Sequence, residues 1–433
     1  MASQDKTQTT ELELAAATAV RLEVHRLSGK VAGNDEALEI LGTNYVSFTK
    51  EEEAAVRRKI DWRLLPLMLL VNGLQFVDKN TISYAGTYGI QKEIDLVGQQ
   101  YSLLVSIFFI AYLVAEYPTN LLMQKFPTGK YLTMNFLIWG IVLSASAACK
   151  SFASLAVCRF LLGILESCIN PGLILISSSW WTKEEQVFRV PFWAAANGIF
   201  SIPSGLVFYG ISKLTARNMF PFQWMFLLLG ITTILIGSTL WWIIPDTPAH
   251  AKFLTERERV IAIQRLQGNM TGIKNRHHKK NQVVEALTDI HVWLLVLCWF
   301  LHNLTGPLQS TFAGLIIKGF GFNTTDAILL NIPIAACYAI GMLFAGSFLI
   351  TRWGHNRRII VLLSSMIFGI SGTLVVKLVP GTHAIKLLGV YLVTFTSAAS
   401  CVMYMLLAAN IAGYTKKVVS GALFFGSYVP RWH

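Results

Sequence analysis

Polar and apolar positions along this chain fall into long blocks rather than short alternations. Met1 to about Ile60 is polar and reads as a cytosolic tail. Within it, Thr49-Lys50-Glu51-Glu52-Glu53 predicts a capped, short amphipathic helix just before the first apolar run. A helix needs roughly 20 apolar residues to cross a bilayer. Runs of that kind lie at about Trp62–Tyr84, Tyr101–Met123, Tyr131–Cys149, Leu155–Trp181, Val190–Ile211 and Trp224–Ile244. After a polar interval come Val292–Ile317, Ala327–Ile350, Ile359–Val379 and Ile385–Ala412. An eleventh run starts near Ser420 and stops at Pro430-Arg431-Trp432-His433. The pattern predicts an all-α polytopic transmembrane bundle. Its parts are a tail at 1–60, a six-helix bundle at 61–244, a cytosolic linker loop at 245–290 and an incomplete second bundle at 291–433.

Composition strengthens this reading. Only 14% of the 433 residues are charged and 54% are hydrophobic, against about 25% charge in a soluble domain. So few charges cannot cover a water-facing surface, and the bilayer must supply much of the solvent. The net charge of +12 would suggest nucleic acid in a soluble protein. Here the cations sit mainly between the apolar runs. Arg57, Arg58, Lys59, Lys125, Lys130, Lys183, Arg189, the linker's Lys252, Arg257, Arg259 and Arg265, then Arg352, Arg357, Arg358, Lys416 and Lys417 all fall on one side. By the positive-inside rule that side is cytosolic, which places the N-terminus inside. The N-terminus carries no cleavable signal pattern. All six cysteines lie in apolar stretches and read as packing residues. His277-His278-Lys279-Lys280 reads as a solvated loop. The sequon at Asn323 falls close to the expected outer membrane surface.

Ionisable groups inside the runs carry the functional information, because each costs at least about 2.5 kcal/mol at a helix centre. The first span holds Asp78 beside Lys79, and the second holds Glu116 before Pro118. In the fourth span, Arg159, Gly163, Glu166 and Asn170 follow at spacings of 4, 3 and 4, one helical stripe. A stripe of cation, anion and amide must face protein or an aqueous cavity, and Pro171-Gly172 should loosen the helix behind it. Asp78 and Arg159 fall at similar depth, which allows them to pair. Arg159 could instead be held by Glu166. The fifth span offers Asn197, Ser201 and Ser204; the seventh offers His302, Asn303, Thr305 and Gln309; the tenth offers Thr394, Ser397 and Tyr404. The hydroxyls equally suit small-residue helix contacts. A structural role in fixing helix packing competes with a functional one for every member of these groups.

These residues resemble a known pattern. The run from Leu74 to Ala85 around Asp78-Lys79-Asn80, Glu116-Tyr117-Pro118-Thr119-Asn120, Lys125-Phe126-Pro127-Thr128-Gly129-Lys130, Arg159-Phe160-Leu161-Leu162-Gly163 with Glu166 and Pro171-Gly172, Pro245-Asp246-Thr247-Pro248, and Asn410 to Lys417 resemble the major facilitator superfamily and, within it, the fungal allantoate permease family of anion:cation symporters. The likeness runs from Trp62 to about Phe425. The superfamily's loop motif between spans 2 and 3 is degenerate, with a partial echo at Arg352–Arg358. The resemblance implies two six-helix bundles rocking about a central cavity. It further implies import of a small organic anion (allantoate, nicotinate, pantothenate or a similar carboxylate) with protons as coupling ion, across the plasma membrane. Against the family pattern the last two spans are largely missing, so a transport-inactive fragment or nutrient sensor is the alternative.

The resemblance and the residues together name Asp78, Glu116, Arg159, Glu166, Asn170, Asn197, His302, Asn303 and Gln309 as substrate or proton pathway candidates. No cofactor, metal, nucleic acid or enzymatic activity is expected. The His, Asp and Ser groups are dispersed, no phosphate-binding loop of the Gly-Lys-Ser/Thr kind occurs, and no repeated filter segment suggests a channel.

Overall fold

The computed structural model describes residues 46–87, 90–212, 219–266, 280–303, 317, 320–321, 324–351, 357–379, 383–411 and 413–427. Gln309, Thr305, His277, His278, Lys279 and Asn323 lie outside them. The first helix, α1, runs Lys50–Thr87. Thr49 and Glu52 close a reciprocal capping box at its start, at 3.1 and 3.3 Å. The expected short helix and first span are therefore one helix. Its 38 residues reach about 57 Å at 1.5 Å per residue, so it projects well beyond the hydrocarbon layer.

Then follow α2 (Ile90–Glu93), α3 (Gln100–Lys125), α4 (Thr128–Ser146), α5 (Phe152–Glu166), α6 (Ile169–Trp180), α7 (Lys183–Ala194), α8 (Ala196–Ser212) and α9 (Pro221–Ile243). The linker contributes α10 (Glu256–Gln264) and α11 (Lys280–Thr288). Beyond it come α12 (Ile290–Asn303), α13 (Thr324–Ile350), α14 (Arg358–Leu378), α15 (His383–Thr394), α16 (Ser397–Asn410) and α17 (Tyr414–Gly426). Among the described residues eight helical spans are long and apolar enough to cross a membrane, three of them formed by the consecutive pairs α5–α6, α7–α8 and α15–α16, with α11 and α12, bent by 59°, a ninth candidate. The predicted third span, α4, is a 19-residue helix that falls outside those eight; Lys130 and Asn135 dilute its apolar character.

The fourth, fifth and tenth predicted spans are each interrupted by a turn of one or two residues, without the sharp bend of α11 and α12. The first break has a clear cause. Pro171 lacks an amide hydrogen and its ring crowds the carbonyl four residues back, at Ser167. Residues 167 and 168 accordingly form a turn between α5 and α6. The Glu166 carbonyl, at the end of α5, accepts Gln75 Nε2 at 3.1 Å. Pro118, by contrast, is accommodated within α3 without a break.

Helices pack closely where glycine removes the side chain. A Cβ on Gly163 would lie 2.3 Å from the Phe108 carbonyl oxygen, so α5 rests directly on the backbone of α3. Gly198 does the same between α8 and α13, where a Cβ would meet the Ala335 oxygen at 2.4 Å. Gly163→Val is expected to cost about 1–3 kcal/mol by overpacking, read as a lower unfolding temperature in detergent. Gly210→Val, with nothing within 4 Å of its Cβ, should change it far less.

At the face carrying the linker, charged groups tie the elements together. Arg189 Nε donates to Asp61 Oδ1 at 2.6 Å, and Trp181 Nε1 donates to the same oxygen at 2.8 Å. Arg265 of the linker bonds Glu185 at 2.9 Å and the Trp180 carbonyl at 2.6 Å. Asp246 accepts the Lys130 amide at 3.1 Å and so caps the exposed donors at the start of α4.

Candidate functional site: a buried charge cluster and a polar seam

The ionisable side chains of α1, α3 and α5 converge in the interior of the first half. Asp78 and Glu166 are fully buried, and Glu116 and Arg159 are each 1% exposed. The Glu166 carboxyl lies in electrostatic range of Asp78, Lys79 and Arg159. Lys79 in turn feels Glu166, Glu116 and Asp78, and its Nζ sits 4.9 Å from the centre of the Tyr112 ring. Glu116 Oε1 accepts Asn120 Nδ2 at 3.2 Å. Asn170, half-buried at the start of α6, reaches the Tyr112 hydroxyl at 3.5 Å. Three carboxyls and two cations thus share one enclosed region.

The direct pairing of Asp78 with Arg159 is absent, and so is that of Arg159 with Glu166. Asp78 Oδ2 accepts Trp139 Nε1 at 2.7 Å, and its Oδ1 has no hydrogen-bond partner among the described residues. Arg159 Nε and Nη2 are likewise without one, as are both Glu166 carboxyl oxygens. The Arg159 guanidinium lies 5.3 Å from the centre of the Phe226 ring of α9, a cation–π contact. Equal depth along two helices did not settle which way each side chain turns. The α5 stripe does face inward: Arg159, Gly163 and Glu166 are all buried.

A second set of polar groups lies along the seam between the halves. Asn197 accepts Asn72 Nδ2 at 2.9 Å and donates to the Tyr338 hydroxyl of α13 at 3.4 Å. His302 Nε2 and Ser400 Oγ are 2.6 Å apart. Trp299 stacks on Phe424 at 4.5 Å and leans on Tyr404 at 5.1 Å, and Tyr404 stacks on Trp193 of α7 at 6.0 Å. Asn303 donates to the Trp299 carbonyl of its own helix at 2.7 Å, which reads as a local bond. Ser201, Ser204 and Thr394 also bond their own helices, so packing accounts for them. At the linker end of the seam, buried Gln124 Nε2 donates to Thr415 Oγ1 at 2.9 Å, joining α3 to α17.

Several participants were not legible as such. Trp139, Asn72, Gln75 and Tyr112 read in the sequence as ordinary members of apolar runs. Their partners, 61, 125, 91 and 58 residues away, make them part of the site. Only for Asn72 and Gln75, amides within a span, did residue type offer a signal. Among the described residues no group of three or more His, Cys, Asp and Glu could hold a metal ion.

Comparison with known proteins agrees with this architecture. The Major Facilitator Superfamily model matches residues 68–431. An uncharacterized transporter of Schizosaccharomyces pombe is 34% identical over 395 residues, covering 91% of this chain and 74% of that protein. The thiamine pathway transporter of Saccharomyces cerevisiae is 35% identical over 370 residues, 85% of this chain and 70% of that one. The allantoate permease of the same yeast is 30% identical over 396 residues, 88% and 73%. Among solved structures, the proton:xylose symporter XylE bound to 6-bromo-6-deoxy-D-glucose superposes with a TM-score of 0.71 at 15% identity, over 86% of this chain and 87% of that one. That likeness speaks for the fold alone. With a helical bundle, spans that need a bilayer, polar groups enclosed between two halves and a family match over most of its length, the chain belongs to the Major Facilitator Superfamily of membrane transporters, not to an enzyme family.

Proposed function

We propose that the protein is a secondary active transporter that imports a small organic anion together with protons by alternating access. The substrate is a carboxylate of the kind represented by allantoate, nicotinate or pantothenate, the membrane is the plasma membrane, and the N-terminus and the linker are cytosolic. The observation that carries the reading is the buried charge cluster. Asp78, Glu116 and Glu166 against Lys79 and Arg159 leave one negative charge in excess when all are ionised. An uncompensated charge in a low-dielectric interior is costly, and one bound proton removes it. The cluster sits in the first half, and His302 with Ser400, 2.6 Å from each other in the second, are the candidate donors to a carboxylate. Alternating access needs the Gln124–Thr415 bond to break when the cytosolic side opens. The allantoate permease among the relatives supports the substrate class.

Uptake of labelled carboxylates into proteoliposomes tests this. Accumulation should rise with an inward proton gradient. One proton with one monovalent anion moves no net charge and yields about 1.4 kcal/mol, or tenfold accumulation, per pH unit. A second proton would add about 2.3 kcal/mol per 100 mV of membrane potential. Uptake that ignores pH and follows sodium, or that is confined to neutral substrates, would overturn the proposal.

A further inference from the structure

Cys149 and Cys158 come from different apolar runs, yet their sulfurs lie 3.7 Å apart, in van der Waals contact. Cys149 follows the end of α4 and Cys158 lies in the second turn of α5. The turn between them is built rather than loose. Ser151 and Ser154 cap α5 reciprocally, each side chain bonding the other's amide at 3.3 Å, and their hydroxyls meet at 3.0 Å. The short connection therefore holds both thiols at one spot with little freedom to separate. Cys149 is buried and Cys158 half-buried, so an incoming reagent meets Cys158 first. The pair sits at the end of α4 away from Asp246, on the face opposite the linker.

We propose that Cys149 and Cys158 are a dithiol that closes reversibly to a disulfide in exchange with a small-molecule disulfide such as oxidised glutathione. The Cys158 thiolate attacks one sulfur of the reagent, forms a mixed disulfide and releases one thiol. The Cys149 thiolate then attacks the Cys158 sulfur, forms the protein disulfide and releases the second thiol. The two protein thiols are oxidised, the reagent is reduced to two thiols, and the two cysteine protons leave with them. An S–S bond needs about 2.05 Å, so the sulfurs must move together from their 3.7 Å contact. The bond would staple α4 to α5 one residue before Arg159. Both helices belong to the same half, so the staple does not cross the seam between halves. The inference is independent of substrate and of proton coupling.

Peptide mapping of the full-length protein in detergent tests it. The protein is equilibrated in glutathione buffers of rising oxidised-to-reduced ratio, quenched with N-ethylmaleimide, unfolded and digested with trypsin. Cleavage after Lys130, Lys150 and Arg159 puts the two cysteines on separate peptides, 131–150 and 151–159. The expected product is those two peptides joined and lighter by two hydrogens, increasing with the ratio and lost on adding dithiothreitol. Cys168, Cys298, Cys337 and Cys401 should remain alkylated in the same samples. The oxidised protein should unfold at a higher temperature than the reduced one, and Cys149→Ser should abolish the difference. Full alkylation of both cysteines at every ratio, arrest at a glutathione adduct, or a linkage found only in covalent dimers would each overturn the proposal. Because mapping is done on the native sequence, it does not depend on any variant folding.

Discussion

Arg159→Ala should cost about 3–5 kcal/mol of stability and bring uptake to background. The cost follows from removing one partner of a buried charge group and leaving the rest uncompensated. Arg159 is 1% exposed and shares its enclosure with Glu166. Without it, three buried carboxyls face Lys79 alone. The guanidinium also covers the Phe226 ring at 5.3 Å, so the truncation loses a cation–π contact and leaves a void. Arg159→Lys separates the two contributions. It keeps the charge and loses the flat face that stacks on the ring, so it should recover most of the stability. Thermal unfolding in detergent reads stability, and proteoliposome uptake reads function. An Arg159→Ala protein that melts like the native one would show that the cluster does not depend on this cation.

Glu116→Gln should flatten the pH dependence of uptake while sparing exchange of substrate across the membrane. The variant removes one of three carboxyls and leaves Asp78 and Glu166 against Lys79 and Arg159, a set already balanced without a proton. The glutamine oxygen can still accept the Asn120 amide that Glu116 Oε1 accepts at 3.2 Å, so local structure is retained. A coupled carrier gains about tenfold accumulation per pH unit, and that increment is the quantity expected to shrink toward none. Exchange at equal pH on both sides needs no net proton movement and should keep most of its native rate. If the tenfold response survives in Glu116→Gln, the proton rides on another group. Glu166→Gln is then the next variant, because its carboxyl is fully buried and both of its oxygens lack a hydrogen-bond partner among the described residues.

The division between what the chain alone reveals and what needs the fold follows the range of the forces. Apolar runs of about 20 residues have one stable environment, so the helical, membrane-embedded class was legible in composition and pattern. So was the inward face of Arg159, Gly163 and Glu166, since helical period is a local property. The break behind Glu166 was legible too, because proline's missing donor and ring clash act within four residues. The partners were not. Asp78 looked free to meet Arg159, and only the indole of Trp139, reaching from α4 to α1, claimed its carboxylate. Trp139 itself carried no signal, since an indole in an apolar run has a sufficient reason to be there. Asn197 was expected from residue type, but its bridging of Asn72 to Tyr338 depends on how the halves meet. Cys149 and Cys158 read as packing residues in two spans, and only the capped turn at Ser151 sets their sulfurs in contact. Each of these outcomes depends on rotation of a helix about its axis and on which helix stands next to it. Side chains at those contacts decide both, from residues tens to hundreds of positions apart, and that information is absent from any local window of sequence.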